Sequence, residues 1–522
     1  MHGCDIIVGM EGFMRTNWYN VFAASAKDEP NHVVVSDGDH AVSFSELLSE
    51  ETAIARKIVS LIGSERCRPI AVFLPKCVGT IIADTAIIHT GNAYMNMDVK
   101  TPSERLTNVL KTVLPLLVIT DEVHKKNIVQ AAKEIARVVT LEEFAAMPEG
   151  DVDLDVRLRH MIDTDPLCLI NTSGSTGTPK GVVLNHRSFF DFLDCAKETW
   201  NLTGHEVIGS LSPVIFDIYS FELCMLYMNR ATMVLIPDTW AMFPVKILEL
   251  LEQKLVSFVF WVPTIMVNIA NMGLLDKFAL PELKMVWFAG EVFPTKQFNM
   301  WYRKLAPRTR FLNLYGPIEI TLDCTWFEIT RNIPDEEPIP IGFACENTDV
   351  LVLDANNKLV QGQEEGELCV RGTSLAMGYY NNFLKTAAAF TQNPLNTAYP
   401  EIIYRTGDIV YYNDRGEIVF KGRKDSLIKH SGYRIELTEI EHVIVNTLKL
   451  VANGCVIYNF KNKEITLFYE AGHELNPAII RRAISTKLPK YMIPSVYIHE
   501  EFLPRGGTGK IDRALLNKRI NG

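Results

Sequence analysis

Residues 167–181 read LCLINTSGSTGTPKG, an apolar run that breaks into a Ser/Thr/Gly loop and ends on a lysine and a glycine. The run 167–170 has the length and character of a buried strand, and the loop that follows has the composition of a phosphate cradle. Glycines let the backbone turn its N–H groups inward, the hydroxyls of Thr172, Ser173, Ser175 and Thr176 add donors, and Lys180 supplies positive charge. Gly174 and Gly177 supply the turns. The stretch is not the G-x-x-x-x-G-K-[ST] loop, because Gly181 follows the lysine. Composition alone leaves an ordinary surface loop as an equal reading.

Working outward, apolar runs alternate with amphipathic stretches: PIAVF (69–73) before 79–90, LLVIT (116–120), TMVLI (232–236) before 245–253, and 256–261. That alternation predicts α/β layers with largely parallel sheets. From Asp349 the texture changes to short runs separated by turns, with Asn356-Asn357 and Arg415-Gly416 as hairpin punctuation. After Lys424 the chain offers a helix (436–448), two strands (452–458 and 464–469) and a helix (477–488). The predicted fold class is α/β: a large N-terminal domain, residues 1–424, with a β-rich subdomain at about 349–424, and a small α+β C-terminal domain, residues 425–522.

A chain of 522 residues exceeds one hydrophobic core, and its 48% hydrophobic and 22% charged content is that of a globular protein. The net charge of -10 argues against nucleic acid as a partner. Ten cysteines carry no C-x-x-C spacing, which reads as free thiols in a reducing cytoplasm. The start, MHGCDIIVGMEGF, lacks a secretory pattern, and the longest apolar stretch, LVSFVFWV (255–262), is too short to span a bilayer. A cytoplasmic protein without stable membrane insertion is expected.

Further motifs follow in order: GNAYMNMDVKTPSERL (91–106), FDIYSFE (216–222), FAGEVFP (288–294), NLYGPIE (313–319), GELCVRG (366–372), YRTGD (404–408), GRKD (422–425), SGYRIELTEIE (431–441) and TGKIDR (508–513). With the loop at 172–181 they make the chain resemble the adenylate-forming superfamily of acyl- and aryl-CoA synthetases, luciferase and nonribosomal peptide synthetase adenylation domains. The likeness runs from about Phe44 to Arg513. It is greatest to the branch of stand-alone amino acid–carrier-protein ligases, such as D-alanine and glycine ligases.

The resemblance implies roles. ATP and Mg²⁺ are the expected cofactors, with Glu319 as the metal ligand, a task for a hard oxygen donor. Asp408 accepts the ribose hydroxyls, Arg423 lies by the sugar or the phosphates, and Tyr315, next to Gly316, flanks the adenine. Lys510 carries the chemistry, its ammonium bridging the attacking carboxylate and the α-phosphate. Asp425 is the hinge of a mobile lid domain whose rotation withdraws Lys510 and brings up Gly432 and Arg434 for thioester formation. Read singly, these are a helix-start acid, a turn aspartate, a core tyrosine, a solvated lysine and a surface turn.

Asp217 stands where amino-acid-activating members hold the substrate ammonium; a helix-capping aspartate is the ordinary reading. The rest of the expected pocket is Ile218, Phe221, Phe260, Trp287, Ala289, Leu314, Leu322 and Asp323. Bulky Phe221, Phe260 and Trp287 exclude large side chains and favour glycine, with D-alanine second, L-alanine and serine behind. Two departures stand out: Ile318 where the family has threonine, and LPRGGTGKIDR at the end. The expected reaction is activation of a small amino acid as its aminoacyl-AMP. Transfer to the phosphopantetheine of a separate carrier protein follows, feeding cell-envelope modification. An acyl-CoA ligase and a weak adenylate-binding protein are the alternatives.

Overall fold

The computed structural model describes residues 15–38, 40–148, 150, 152–172, 179–424, 427–505 and 511–522. Ser173, Gly174, Ser175, Thr176, Gly177, Asp425 and Lys510 lie outside the described residues. Two sheets dominate the first part of the chain. In one, the parallel strands Arg310–Tyr315, Met285–Phe288, Phe258–Trp261, Val207–Ser210, Thr232–Leu235 and Val33–Asp37 lie side by side, with antiparallel strands at both edges. In the other, Ala93–Asn96, Pro69–Val72, Leu117–Thr120 and Arg137–Thr140 run parallel, and Pro166–Thr172 joins them beside Lys180–Asn185.

Strands such as Ala93–Asn96, Phe258–Trp261 and Met285–Phe288 are buried at every position, as expected where helices cover both faces of a parallel sheet. Between the two sheets run the helices Val78–His89 and Asp217–Asn229, apolar on nearly every side, and one hydrophobic cluster takes in residues of both sheets and both helices. Helix Phe44–Ile62 starts in a capping box, with the Ser43 N–H donating to Glu46 at 2.8 Å. Among the described residues, Cys67, Cys77, Cys168, Cys195, Cys224, Cys324, Cys345, Cys369 and Cys455 are free thiols. No helix of the described residues is long and apolar enough to cross a membrane.

The change of texture at Asp349 corresponds to an antiparallel sheet of Thr348–Leu353, Gly366–Gly372, Ile402–Tyr412, Phe390–Gln392 and Ile418–Arg423. Asn357 and Gly416, both at positive φ, sit in its turns. Beyond it, Leu427–His430 and Tyr433–Glu436 form a hairpin closed by Ser431 (φ 53°) and Gly432 (φ 81°), the pair of positive φ angles that suits a two-residue turn. The expected helix at 436–448 is an α-helical turn, Leu437–His442, continued as a π-helix, Val443–Thr447. The strands Asn453–Asn459 and Glu464–Glu470 are joined by Val496–Glu500, which pairs parallel to the second and has no counterpart in the sequence reading.

Candidate active site

The parallel strands all end on the same side, and the segments that leave their carboxyl ends surround a cavity of about 100 Å³. Asn171 and Thr172 come from the end of Pro166–Thr172, Asp217 and Ile218 from the helix after Val207–Ser210, and Gly316 from the end of Arg310–Tyr315. Phe260, Ala289, Leu322 and Asp323 complete that wall. The opposite wall is the hairpin: Lys429, Gly432, Tyr433 and Arg434 line the same cavity, with Tyr491 behind them.

Three residues expected in the lining are absent from it. Phe221, Trp287 and Leu314 are all buried, and Phe260, which does line the cavity, packs against Phe221 and Trp287. Trp287 stacks on Phe221 with ring centroids 5.4 Å apart and meets Phe260 edge-on at 5.6 Å. They act on the cavity through Phe260, as an aromatic block that fixes its ring.

Asp217 is the first residue of its helix; its Oδ1 accepts the neighbouring Ile218 N–H at 3.0 Å, a bond to the adjacent amide that leaves the carboxylate at the cavity. Burial raises this carboxyl to about 6, against the opposing pull of Lys429. Burial raises Asp323 further, with Asp217 as its like-charged neighbour and Lys429 again opposing. Lys429 is pulled down by burial and by the neighbouring Arg434, against the opposing pull of Asp408, Asp323 and Asp217. Its ammonium donates to the Gly316 carbonyl at 3.4 Å. The cavity thus has two carboxyls on one wall and a lysine on the other.

Glu319 is fully buried. Burial alone pushes its carboxyl up, but Arg434 and the Tyr379 hydroxyl outweigh it and hold the group below the ordinary carboxylate range. Tyr379 donates to Oε1 at 2.8 Å, and Arg434 forms a close ion pair with Oε2. The ring of Tyr379 also carries Lys180, whose ammonium lies 5.2 Å from its centroid. An anionic oxygen donor held charged in the interior suits a hard cation such as Mg²⁺, and Arg434 fills that role in this arrangement. Asp408 is buried and accepts hydrogen bonds from the Tyr315 hydroxyl and from Arg423. The three expected to handle the nucleoside are therefore joined.

The segment after Gly316 is strained. A Cβ at Gly316 meets the Leu322 carbonyl oxygen at 2.2 Å, and Thr321 (φ 57°) and Leu322 (φ 65°) both hold left-handed conformations. That fold-back brings Asp323 to the cavity. Sequence reasoning missed Lys429 and Tyr379, neither of which stands inside one of the motifs, and took Tyr433 only as the middle of the segment Gly432-Tyr433-Arg434.

A family model described as AMP-binding enzyme matches residues 22–380. One of the subunits of mycosubtilin synthase from Bacillus subtilis is 30% identical over 510 residues, which is 95% of this chain and 19% of the relative's length. The chain thus spans about a fifth of that relative. Among solved structures, holo-PA1221, an NRPS protein containing adenylation and PCP domains, superposes with a TM-score of 0.81 at 21% identity, covering 97% of this chain and 84% of that one. The adenylation domain AlmE of Vibrio cholerae, in complex with glycyl-adenosine-5'-phosphate, gives a TM-score of 0.81 at 18% identity, with 98% and 99% covered. At such identities these two likenesses establish the fold.

Proposed function

The chain belongs to the AMP-binding enzyme family, whose members use ATP and Mg²⁺, and we propose that it activates a small amino acid, glycine first, as its aminoacyl-AMP. The observation that carries this reading is Asp217, a carboxylate at the end of a cavity of about 100 Å³ walled by Phe260. A buried anion is costly unless a cation meets it, and the α-ammonium of an amino acid is such a cation. Little space is left for a side chain, and steric overlap discriminates strongly against larger substrates. The glycyl adenylate in AlmE and the carrier domain in PA1221 support the same direction.

In the first step a carboxylate oxygen of the amino acid attacks the α-phosphorus of ATP and pyrophosphate leaves. Asp217 orients the ammonium end, Asp408 with Tyr315 and Arg423 takes the ribose side, and Thr172 to Gly177 with Lys180 grip the phosphates. Glu319 is the residue to hold Mg²⁺, which neutralises phosphate charge when bound. Lys510 is assigned the bridging ammonium. In the second step a phosphopantetheine thiol of a separate carrier protein attacks the acyl carbon, AMP leaves and the thiol proton passes to solvent. Gly432 and Arg434 face the cavity for that step, while Arg505 and Arg513, which flank Lys510, bond to Glu470 and Glu441 of the C-terminal part. The domain division at Asp425, a hinge there, and use of the product in cell-envelope modification complete the reading.

ATP–pyrophosphate exchange with glycine, D-alanine, L-alanine and serine tests the proposal. Glycine is expected to lead; stronger exchange with D-alanine overturns the substrate, and a CoA thioester formed without amino-acid-dependent exchange overturns the class.

A further inference from the structure

We propose that Glu291 is the positioning residue that seats the hairpin 427–436 for the thioester step, acting through the backbone of Gly432. Its carboxylate is held from one side by the helix Pro263–Asn271: Oε2 accepts the Thr264 N–H at 3.1 Å and the Thr264 hydroxyl as well. A carboxylate on the first amides of a helix is favoured by both hydrogen bonding and the helix dipole. The other oxygen, Oε1, accepts the Gly432 N–H at 2.8 Å, from a residue 141 positions further along the chain.

Two observations make this contact specific to the seated hairpin. Gly432 holds φ 81°, and a Cβ there meets Val262 at 2.8 Å and Phe216 at 3.3 Å, so the turn reaches Glu291 only with glycine at its apex. The next residue, Tyr433, lies edge-on to Phe216 with centroids 5.0 Å apart and stacks on Tyr491 at 3.7 Å. Glu291 thus fixes the apex of the hairpin, and through it the approach of Lys429 and Arg434 to the cavity. These partners of Glu291 are backbone amides and a threonine hydroxyl, so the contact reads the position of the turn and is indifferent to substrate.

The inference rests on the two-step reading above, and the test separates the two. Three quantities are measured on the full chain. They are amide hydrogen exchange of the peptide containing Gly432, amino-acid-dependent ATP–pyrophosphate exchange, and aminoacyl thioester formation with free pantetheine as the thiol. In Glu291→Ala, the Gly432 amide is expected to exchange on the order of tenfold faster, and thioester formation to fall by a similar factor, as for loss of one hydrogen bond to a charged group. Adenylation stays within about twofold, because the lost bond belongs to the seated hairpin alone. Glu291→Gln, which keeps an acceptor oxygen, restores most of the thioester rate. In a Gly432→Ala background, Glu291→Ala lowers that rate no further. Should Glu291→Ala fail to fold, Thr264→Val, which removes the hydroxyl donor to Oε2 and keeps the N–H, is expected to move the same readouts in the same direction by a smaller factor. Unchanged amide exchange, or a parallel fall in both half-reactions, overturns the role of Glu291. Absence of pyrophosphate exchange in the unaltered chain overturns the two-step reading, and amide exchange still judges the contact.

Discussion

Arg434 and Glu319 form a buried ion pair between the hairpin and the segment that follows the strand Arg310–Tyr315, and Glu319 is the residue proposed to hold Mg²⁺. On that proposal the guanidinium and the metal would be alternatives at one carboxylate. When the hairpin is seated, the arginine supplies the positive charge that keeps Glu319 ionised in the interior.

Replacing Arg434 by Ala removes the competitor. The expected result is a Mg²⁺ concentration for half-maximal pyrophosphate exchange lowered by roughly tenfold, the scale of one charged hydrogen bond, with thioester formation reduced. An Mg²⁺ titration of exchange, run beside thioester assays, checks both halves; an unchanged Mg²⁺ midpoint contradicts the competition.

The Asp217 carboxyl, raised to about 6 by burial, must be ionised to hold an ammonium. Below that pH it is protonated, so kcat/KM for the amino acid is expected to fall with unit slope as pH drops under about 6, while the KM for MgATP stays flat. Asp217→Asn abolishes that acid limb and lowers kcat/KM by roughly 100-fold. The native chain holds this proton more tightly than the unfolded chain. The same shift therefore withdraws stability as pH rises from about 4 towards about 6.

Phe260 stands between the cavity and the stack of Trp287 and Phe221. Phe260→Ala is expected to cost roughly 3 to 5 kcal/mol of stability and to enlarge the cavity. Relative kcat/KM for alanine over glycine then rises by about tenfold, since one methyl's worth of space is what a hydrophobic wall discriminates. Exchange assays with the two amino acids, and a melting curve, measure the pair of effects.

Gly316→Ala places a carbon 2.2 Å from the Leu322 carbonyl oxygen. Relief requires unfolding the Thr321–Leu322 fold-back, so both the melting temperature and amino-acid-dependent exchange are expected to drop, the former by several degrees. A variant with wild-type melting and exchange shows the fold-back to be dispensable.

Much of this site is legible in the linear order of residues. Lys180, Asp217, Glu319 and Asp408 each stand in a short stretch whose composition announces a charge beside glycine or an aromatic residue. Parallel sheets also follow from apolar runs, which is why Phe258–Trp261 and Thr232–Leu235 lie close to their expected bounds. What composition lacks is depth. Phe221 and Phe260 are three-dimensional neighbours of identical chemistry, and only the packing against Trp287 decides which one faces the cavity. Lys429 and Glu291 escape for another reason: each acquires its meaning from a partner more than a hundred residues away, across a turn whose placement no local pattern encodes. The π-helical continuation at Val443–Thr447 likewise breaks a periodicity that the sequence carries as an ordinary helix.

Tyr379 has a geometric role that its chemistry alone does not suggest. It lies on a short edge strand paired with Lys180–Asn185 in one sheet, yet its hydroxyl reaches Glu319 at the end of the other. On the proposed reading, a triphosphate held by Lys180 and Glu319 would tie the two sheets together across their seam, parallel to a strut already built from a single phenol ring. Nucleotide would then be part of the scaffold while it is being consumed, and departure of pyrophosphate would loosen a joint as well as empty a site.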